Sequence, residues 1–214
     1  SDSSIMPQLD ENKAFGQMMH GSTVRGGIDL VADDTIKTGS DTSAIEQKLD
    51  SLQQMLKQQM DNNNIYMDYD GLISSGTEMT QNTWMDAKYA GIAVTPRNGK
   101  AVEINAMWYN ALKIMQELAI KNNENDKAKK YEKMAKKCKK SYQEKFYNKR
   151  RKCLYDVLGD SKIRPNQLFA LSLTYPVLEP TSEEAQNMVE TVTKKLLNNY
   201  GLKSLAKGEE NYVE

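Results

Sequence analysis

The chain has 214 residues, with 29 Lys plus Arg against 29 Asp plus Glu, and a single histidine, His20. The balanced charge gives no overall pull toward nucleic acid or anionic lipid. One histidine excludes most His-based catalysis and metal ligation, and Cys138 and Cys153 are too few for a disulfide framework or a zinc site. A hydrophobic fraction of 39% and a mean hydropathy of -0.71 still allow a core of one domain, or part of one. No apolar run reaches the roughly 18 residues of a membrane span. The first residues lack the basic and apolar regions of a secretory signal, so a reducing, cytoplasmic setting is expected. No cofactor is expected.

Residues 1–40 are polar, rich in Gly, Ser and Asp, and without period, which reads as a tail or loop. From Ser43 the pattern turns helical. Ile45, Leu49, Leu52, Met55 and Leu56 recur at spacings of three and four until Asp61 to Asn64 break the run. Residues 65–101 are loop-rich. The next helix places Ile104, Met107, Trp108, Ala111, Leu112, Met115 and Leu118 on one face. "NNEND" separates it from a helix over 126–148 carrying Tyr131, Met134, Ala135, Cys138 and Tyr142. "NQLFALSLTYP" reads as a short buried helix closed by Pro176. A last helix opens on a capping-box pattern at Thr181 or Ser182 and is expected to stop at Tyr200-Gly201. The fold class this predicts is all-α, built of antiparallel helical hairpins, with residues 41–214 forming the folded part.

Two signals point elsewhere and are outweighed. Residues 127–152 hold 13 Lys or Arg against 2 Glu. Their apolar neighbours keep helical spacing, so the lysines fall on the opposite face and read as a solvated surface, not a nucleic-acid or membrane patch. "DYDG", 68–71, suggests a calcium loop, but the positions that need oxygen ligands at its two ends are Tyr66 and Thr77.

The loop "NTWMDAKYAGIAVTPRNGK", 82–100, carries the chemistry. A sugar ring offers an apolar face to an aromatic side chain and a hydroxyl rim to charged and amide groups. Trp84, Asp86, Lys88, Arg97, Lys100, Glu103, Asn105, Trp108, Tyr109 and Asn110 supply every part of that set, and both tryptophans of the chain fall among them. Glycoside hydrolysis needs two carboxyl groups, one kept protonated by apolar neighbours. Asp86, beside Trp84 and Met85, suits the acid. Composition leaves a second account open, in which the tryptophans anchor a core and the charges solvate a loop.

"TWMDAKYAGIAVTPRNGKAVEINAMWYNAL" resembles the glycogen debranching enzyme family, in its C-terminal amylo-α-1,6-glucosidase domain. "MDYDGLISSG", 67–76, "CLYDVLGDSKIRPNQLFALSL", 153–173, and "LLNNYGLKSLAKGEENY", 196–212, are similar to the family's flanking blocks, in order. The resemblance implies part of an (α/α)6 toroid, six helical hairpins in a ring with sugar bound where the loops converge. It implies an inverting α-1,6-glucosidase acting on glycogen or branched maltooligosaccharide. The family's general acid falls on Asp86, and its sugar-binding neighbourhood on Trp84, Arg97, Lys100, Glu103, Asn105, Trp108, Asn166 and Gln167. No segment here resembles the one that carries the family's general base. The Asp-x-Ser and Leu-Trp-Phe pattern at the family's front is reduced to Asp41, Thr42 and Ser43. The expectation is therefore half a catalytic site, inactive alone, or a non-catalytic carbohydrate-binding or interaction module derived from such an enzyme.

Overall fold

A computed structural model of the chain describes residues 42–213. The tail predicted over 1–40, with His20, lies outside the described residues. The described part is mainly helical, with helices α1 (Thr42–Asn62), α2 (Val102–Lys121), α3 (Asn125–Phe146), α4 (Phe169–Ser172) and α5 (Glu183–Leu196). All-α needs correcting in one respect. Four short antiparallel ladders join the helices: β1 (Ile65–Met67) with β2 (Ile73–Ser75), β3 (Lys88–Tyr89) with β4 (Ile92–Ala93), β5 (Tyr147–Asn148) with β6 (Cys153–Leu154), and β7 (Leu197–Asn198) with β8 (Gly201–Leu202). Each is only two or three residues per strand. Runs this short carry no alternation that a sequence reader could detect.

Helices α2 and α3 make the most extensive pairing in the described chain. Their connection is short because α2 ends in a Schellman turn. Asn123 takes a left-handed φ of 58°, a conformation that asparagine tolerates. The Asn123 amide donates to Ile120 O at 3.0 Å, and the Glu124 amide to Ala119 O at 2.8 Å. The far end of α3 lies beside the start of α2, where the Tyr142 hydroxyl donates to Val102 O at 3.2 Å. Tyr142 stacks on Phe146 with ring centroids 4.4 Å apart, and both are fully buried. Leu72, Val102, Leu112, Leu154 and Met188 complete the centre of this core. A smaller cluster of Cys153, Ile163, Val192, Leu196 and Ala206 seats α5.

Segment 68–72 crosses the α2–α3 pair at close range. Gly71 has φ 83°, and a Cβ there would meet Lys137 Cγ at 3.1 Å and the Cys138 amide nitrogen at 3.4 Å. Only glycine fits both the backbone and the gap. Its carbonyl accepts from Trp108 Nε1 at 3.2 Å, and the Asp70 carbonyl from Ser141 Oγ at 2.7 Å.

Three expectations are revised. The buried face of α2 is rotated from the predicted stripe: Val102, Glu103, Asn105, Ala106, Tyr109, Asn110, Leu112 and Ala119 are inside, whereas Met115 is exposed. Polar residues take core positions because each finds a partner. Asn105 accepts from the Ile73 amide at 2.7 Å and donates to Ile73 O at 3.0 Å, extending the β2 edge with a side chain. On α1 the predicted stripe exists, but Ile45, Leu49, Leu52 and Met55 stay exposed. The last helix ends at Leu196, not at Gly201, because Gly201 opens β8. At its start Ser182 caps it, accepting from the Ala185 amide at 3.2 Å.

Candidate functional site

The 76–101 loop is fastened at both ends. Ser75 and Gly99 exchange backbone hydrogen bonds of 3.0 and 2.8 Å, closing the loop on β2. Beyond Gly99, the Lys100 carbonyl accepts from the Leu158 amide at 3.1 Å, and the Val102 amide donates to Asp156 O at 2.9 Å. These contacts bring Asp156 under the loop. Inside the loop, β3 and β4 meet through Ala90 and Gly91, with φ 50° and 79°, the two left-handed residues of a tight hairpin turn. Gln81 Nε2 donates to Ala87 O at 2.9 Å and Lys88 Nζ to Met79 O at 3.3 Å, bracing the base of this hairpin.

Arg97 is the loop's anchor. It is 6% exposed, and Glu103 is 1% exposed. The guanidinium fork grips both carboxylate oxygens of Glu103, with Nη2 2.6 Å from Oε2. Its Nε donates to Asp156 Oδ2 at 2.7 Å and its Nη2 to Asp156 Oδ1 at 3.0 Å. Burial disfavours the Arg97 cation, and the two carboxylates outweigh that effect, so its pKa rises above the usual arginine value. A second cation, Arg164, has Nε 3.4 Å from Asp156 Oδ2, without a hydrogen-bond partner. Its Nη1 donates to Ser204 O at 3.1 Å.

The network continues to the surface through Asn166. Asn166 Nδ2 donates to Asp156 Oδ1 at 2.8 Å, and its Oδ1 accepts from Trp84 Nε1 at 2.9 Å. Trp84, 49% exposed, thus has its ring edge tied down and part of its surface open. Asp86 follows two residues later, half-buried. Among the described residues nothing holds its carboxylate by a hydrogen bond or ion pair. A half-exposed indole can stack on a sugar, and a carboxyl group without a protein partner two positions along the chain can bond a sugar hydroxyl.

The other expected site residues sit elsewhere. Lys88 is exposed on the hairpin. Lys100 Nζ pairs with Asp68 at 2.6 Å and Asp70 at 2.8 Å. Asn105 and Trp108 hold backbone of 71–73. Tyr109 lines the core, and Asn110 Oδ1 accepts from the Tyr175 amide at 2.9 Å. Gln167 is buried, accepting from the Leu154 amide at 3.0 Å and donating to Arg164 O at 2.9 Å. Of the expected residues, Trp84 is half-exposed and Asp86, two positions on, has no hydrogen-bond or ion-pair partner among the described residues.

Sequence reasoning missed Asp156, Asp70 and Arg164. Asp156 and Asp70 are charged residues in short apolar runs ("LYDVL", "YDGLI"), and a charge placed there implies a compensating partner. Asp156 meets Arg97 across 59 positions, and Asp70 meets Lys100 and Lys145 across 30 and 75, which no local pattern shows. Among the described residues no group of three or more His, Cys, Asp or Glu side chains could hold a metal.

Beside this geometry stands a family match. The family model described as Amylo-alpha-1,6-glucosidase matches residues 30–214, which takes in the loop, Asp156 and Asn166. No curated protein matches the chain significantly. With most of its length covered by that match, the chain belongs to the amylo-alpha-1,6-glucosidase family.

Proposed function

We propose that this chain forms part of an inverting α-1,6-glucosidase acting on glycogen or branched maltooligosaccharide, with Asp86 as the general acid. What supports this reading is that one loop, anchored by Arg97, carries a tethered, half-exposed Trp84 and, two positions on, a half-buried Asp86 without a hydrogen-bond or ion-pair partner among the described residues. Inversion also needs a base that activates water on the opposite face of the sugar, about 6.5 to 9.5 Å from the acid. Glu103 and Asp156 are both committed to Arg97. The base in this reading comes from outside the described residues, as does the rest of an (α/α)6 ring to which α2 and α3 would contribute. A cytoplasmic role in glucan metabolism, with no nucleic-acid or membrane partner, belongs to the same proposal.

The commitment of Glu103 and Asp156 to Arg97 favours one other reading, a glucan-binding module without catalysis. The two part at Asp86. A glucosidase acid site holds a cationic iminosugar such as 1-deoxynojirimycin more tightly than glucose, because the cation resembles the charge of the transition state. Calorimetry is expected to show that preference in the native chain and its loss in Asp86→Asn. Equal binding of iminosugar and glucose by the native chain would leave the module reading. Binding of neither, nor of branched glucan, would contradict both.

A further inference from the structure

Asn166 lies in the 3-10 turn Pro165–Leu168 and is 2% exposed. Both ends of its amide are committed. Nδ2 donates to Asp156 Oδ1 at 2.8 Å and lies 3.6 Å from Met85 Sδ, while Oδ1 accepts from Trp84 Nε1 at 2.9 Å. An indole N–H only donates and an ionised carboxylate only accepts. Asp156 accepts from Arg97 through both carboxylate oxygens, with Arg164 beside it. The amide therefore has one workable orientation, nitrogen toward Asp156 and oxygen toward the indole. A buried Asn with no further donor pointed at solvent is poorly placed to meet a sugar hydroxyl.

We propose that Asn166 and Asp156 are positioning residues for the glucan site. Asp156, fixed by Arg97, sets the direction of the Asn166 amide, and that amide sets the ring of Trp84 and the path of Met85 leading to Asp86. The inference rests on the glucan reading for its purpose, but the relay itself is a property of the protein without ligand. It gives Asn166 a role through Trp84 in place of the direct sugar contact implied by the family resemblance.

The test uses Asn166→Asp and Asn166→Leu in the full chain, labelled with nitrogen-15. The two indole N–H signals are assigned with Trp84→Phe. In Asn166→Asp the introduced carboxyl, while protonated, can repeat the native pattern, its O–H donating to Asp156 and its C=O accepting from Trp84. Once ionised, it cannot donate and it repels Asp156. The charged groups facing that position are Asp156, Arg97 and Arg164, with Glu103 behind Arg97. The native Trp84 signal is expected to stay constant from about pH 5 to about pH 8. In Asn166→Asp it should match the native signal at the acid end and depart from it as pH rises. In Asn166→Leu it should be displaced, and exchange faster with solvent, at every pH. The Trp108 signal, bonded to Gly71 O, reports that the fold is intact.

A Trp84 signal unchanged in Asn166→Leu, or displaced equally at all pH in Asn166→Asp, overturns the proposal. So does loss of the Trp108 signal in both variants, which would make Asn166 a structural residue of the whole fold. Affinity for a branched trisaccharide should fall about tenfold in Asn166→Leu, the worth of one hydrogen bond, and recover at low pH in Asn166→Asp. If the signals behave as stated while the native chain binds no glucan, the relay stands and the glucan reading fails.

Discussion

Arg97 Nε stands 2.7 Å from Asp156 Oδ2 across 59 positions of chain, with both side chains buried. The same guanidinium grips Glu103. One cation thus joins the end of the loop, the first turn of α2 and the strand-like segment before the 3-10 turn. Removing it leaves the Glu103 carboxylate buried without its cation, and Asp156 with only Arg164 at 3.4 Å and the Asn166 amide. Arg97→Met is expected to cost about 3–5 kcal/mol of stability. Arg97→Lys should lose much of the same amount, because an ammonium group cannot span two carboxylates as a planar fork does. Urea unfolding checks both. A midpoint unchanged in Arg97→Met would show that the cluster does not hold the loop.

Asp70 sets an acid limit on stability. Burial pushes its carboxyl up, but the Lys100 and Lys145 ammonium groups and the Leu72 amide outweigh burial and hold it at about 2, below the ordinary 3.8. A depressed folded-state pKa contributes stability that is fully present above about 3.8 and is lost as pH falls toward about 2. The contribution is of order 2 kcal/mol. Asp70→Asn should be less stable by that order at neutral pH and show a flatter acid limb in the same window. Parallel limbs for the two proteins would remove Asp70 from the account.

The lysine-rich helix is expected not to bind nucleic acid usefully. On α3, Lys136 pairs with Glu132 at 2.5 Å, Lys139 with Glu179 at 2.5 Å, and Lys145 with Asp70 at 2.5 Å. The opposite face buries Ala135, Cys138 and Tyr142. A gel-shift assay at moderate salt decides it, since phosphate contacts give a steep salt dependence. Submicromolar binding that weakens steeply with added salt would contradict the reading.

How much of this could be read in the sequence depends on whether the cause was local. The helices of 42–62, 102–121 and 125–146 were legible because apolar spacing and breakers such as "NNEND" are written within a few residues. The face that α2 buries was not, because Glu103, Asn105 and Asn110 go inside on the strength of partners at positions 97, 73 and 175. The same holds at the candidate site. Trp84 and Asp86 stood out by residue type, but Asp156 acquires meaning only when folding sets it against Arg97 and Asn166. The four small ladders are too short to carry a period.

The isolated chain is expected not to hydrolyse α-1,6-glucosidic bonds at a useful rate. In the proposed reading Asp86 is the acid, and Glu103, bound in both oxygens by Arg97, is not free to serve as the base. Lack of a positioned base costs about 10² to 10⁴ in rate. A glucose-release assay on limit dextrin checks this. Clear turnover, abolished by Asp86→Asn and also by Glu103→Gln, would make Glu103 the base and reverse the assignment.

In the proposed reading the exposed part of Trp84 receives the branch glucose. The most direct measurement is a titration of the nitrogen-15-labelled chain with an α-1,6-linked trisaccharide, followed on the two indole N–H signals. A saturable movement of the Trp84 signal is expected, with a weaker response to the linear α-1,4 trisaccharide and little movement of Trp108, whose N–H is held by Gly71 O. A Trp84 signal that stays still while Trp108 moves, or no movement of either at saturating sugar, would contradict it.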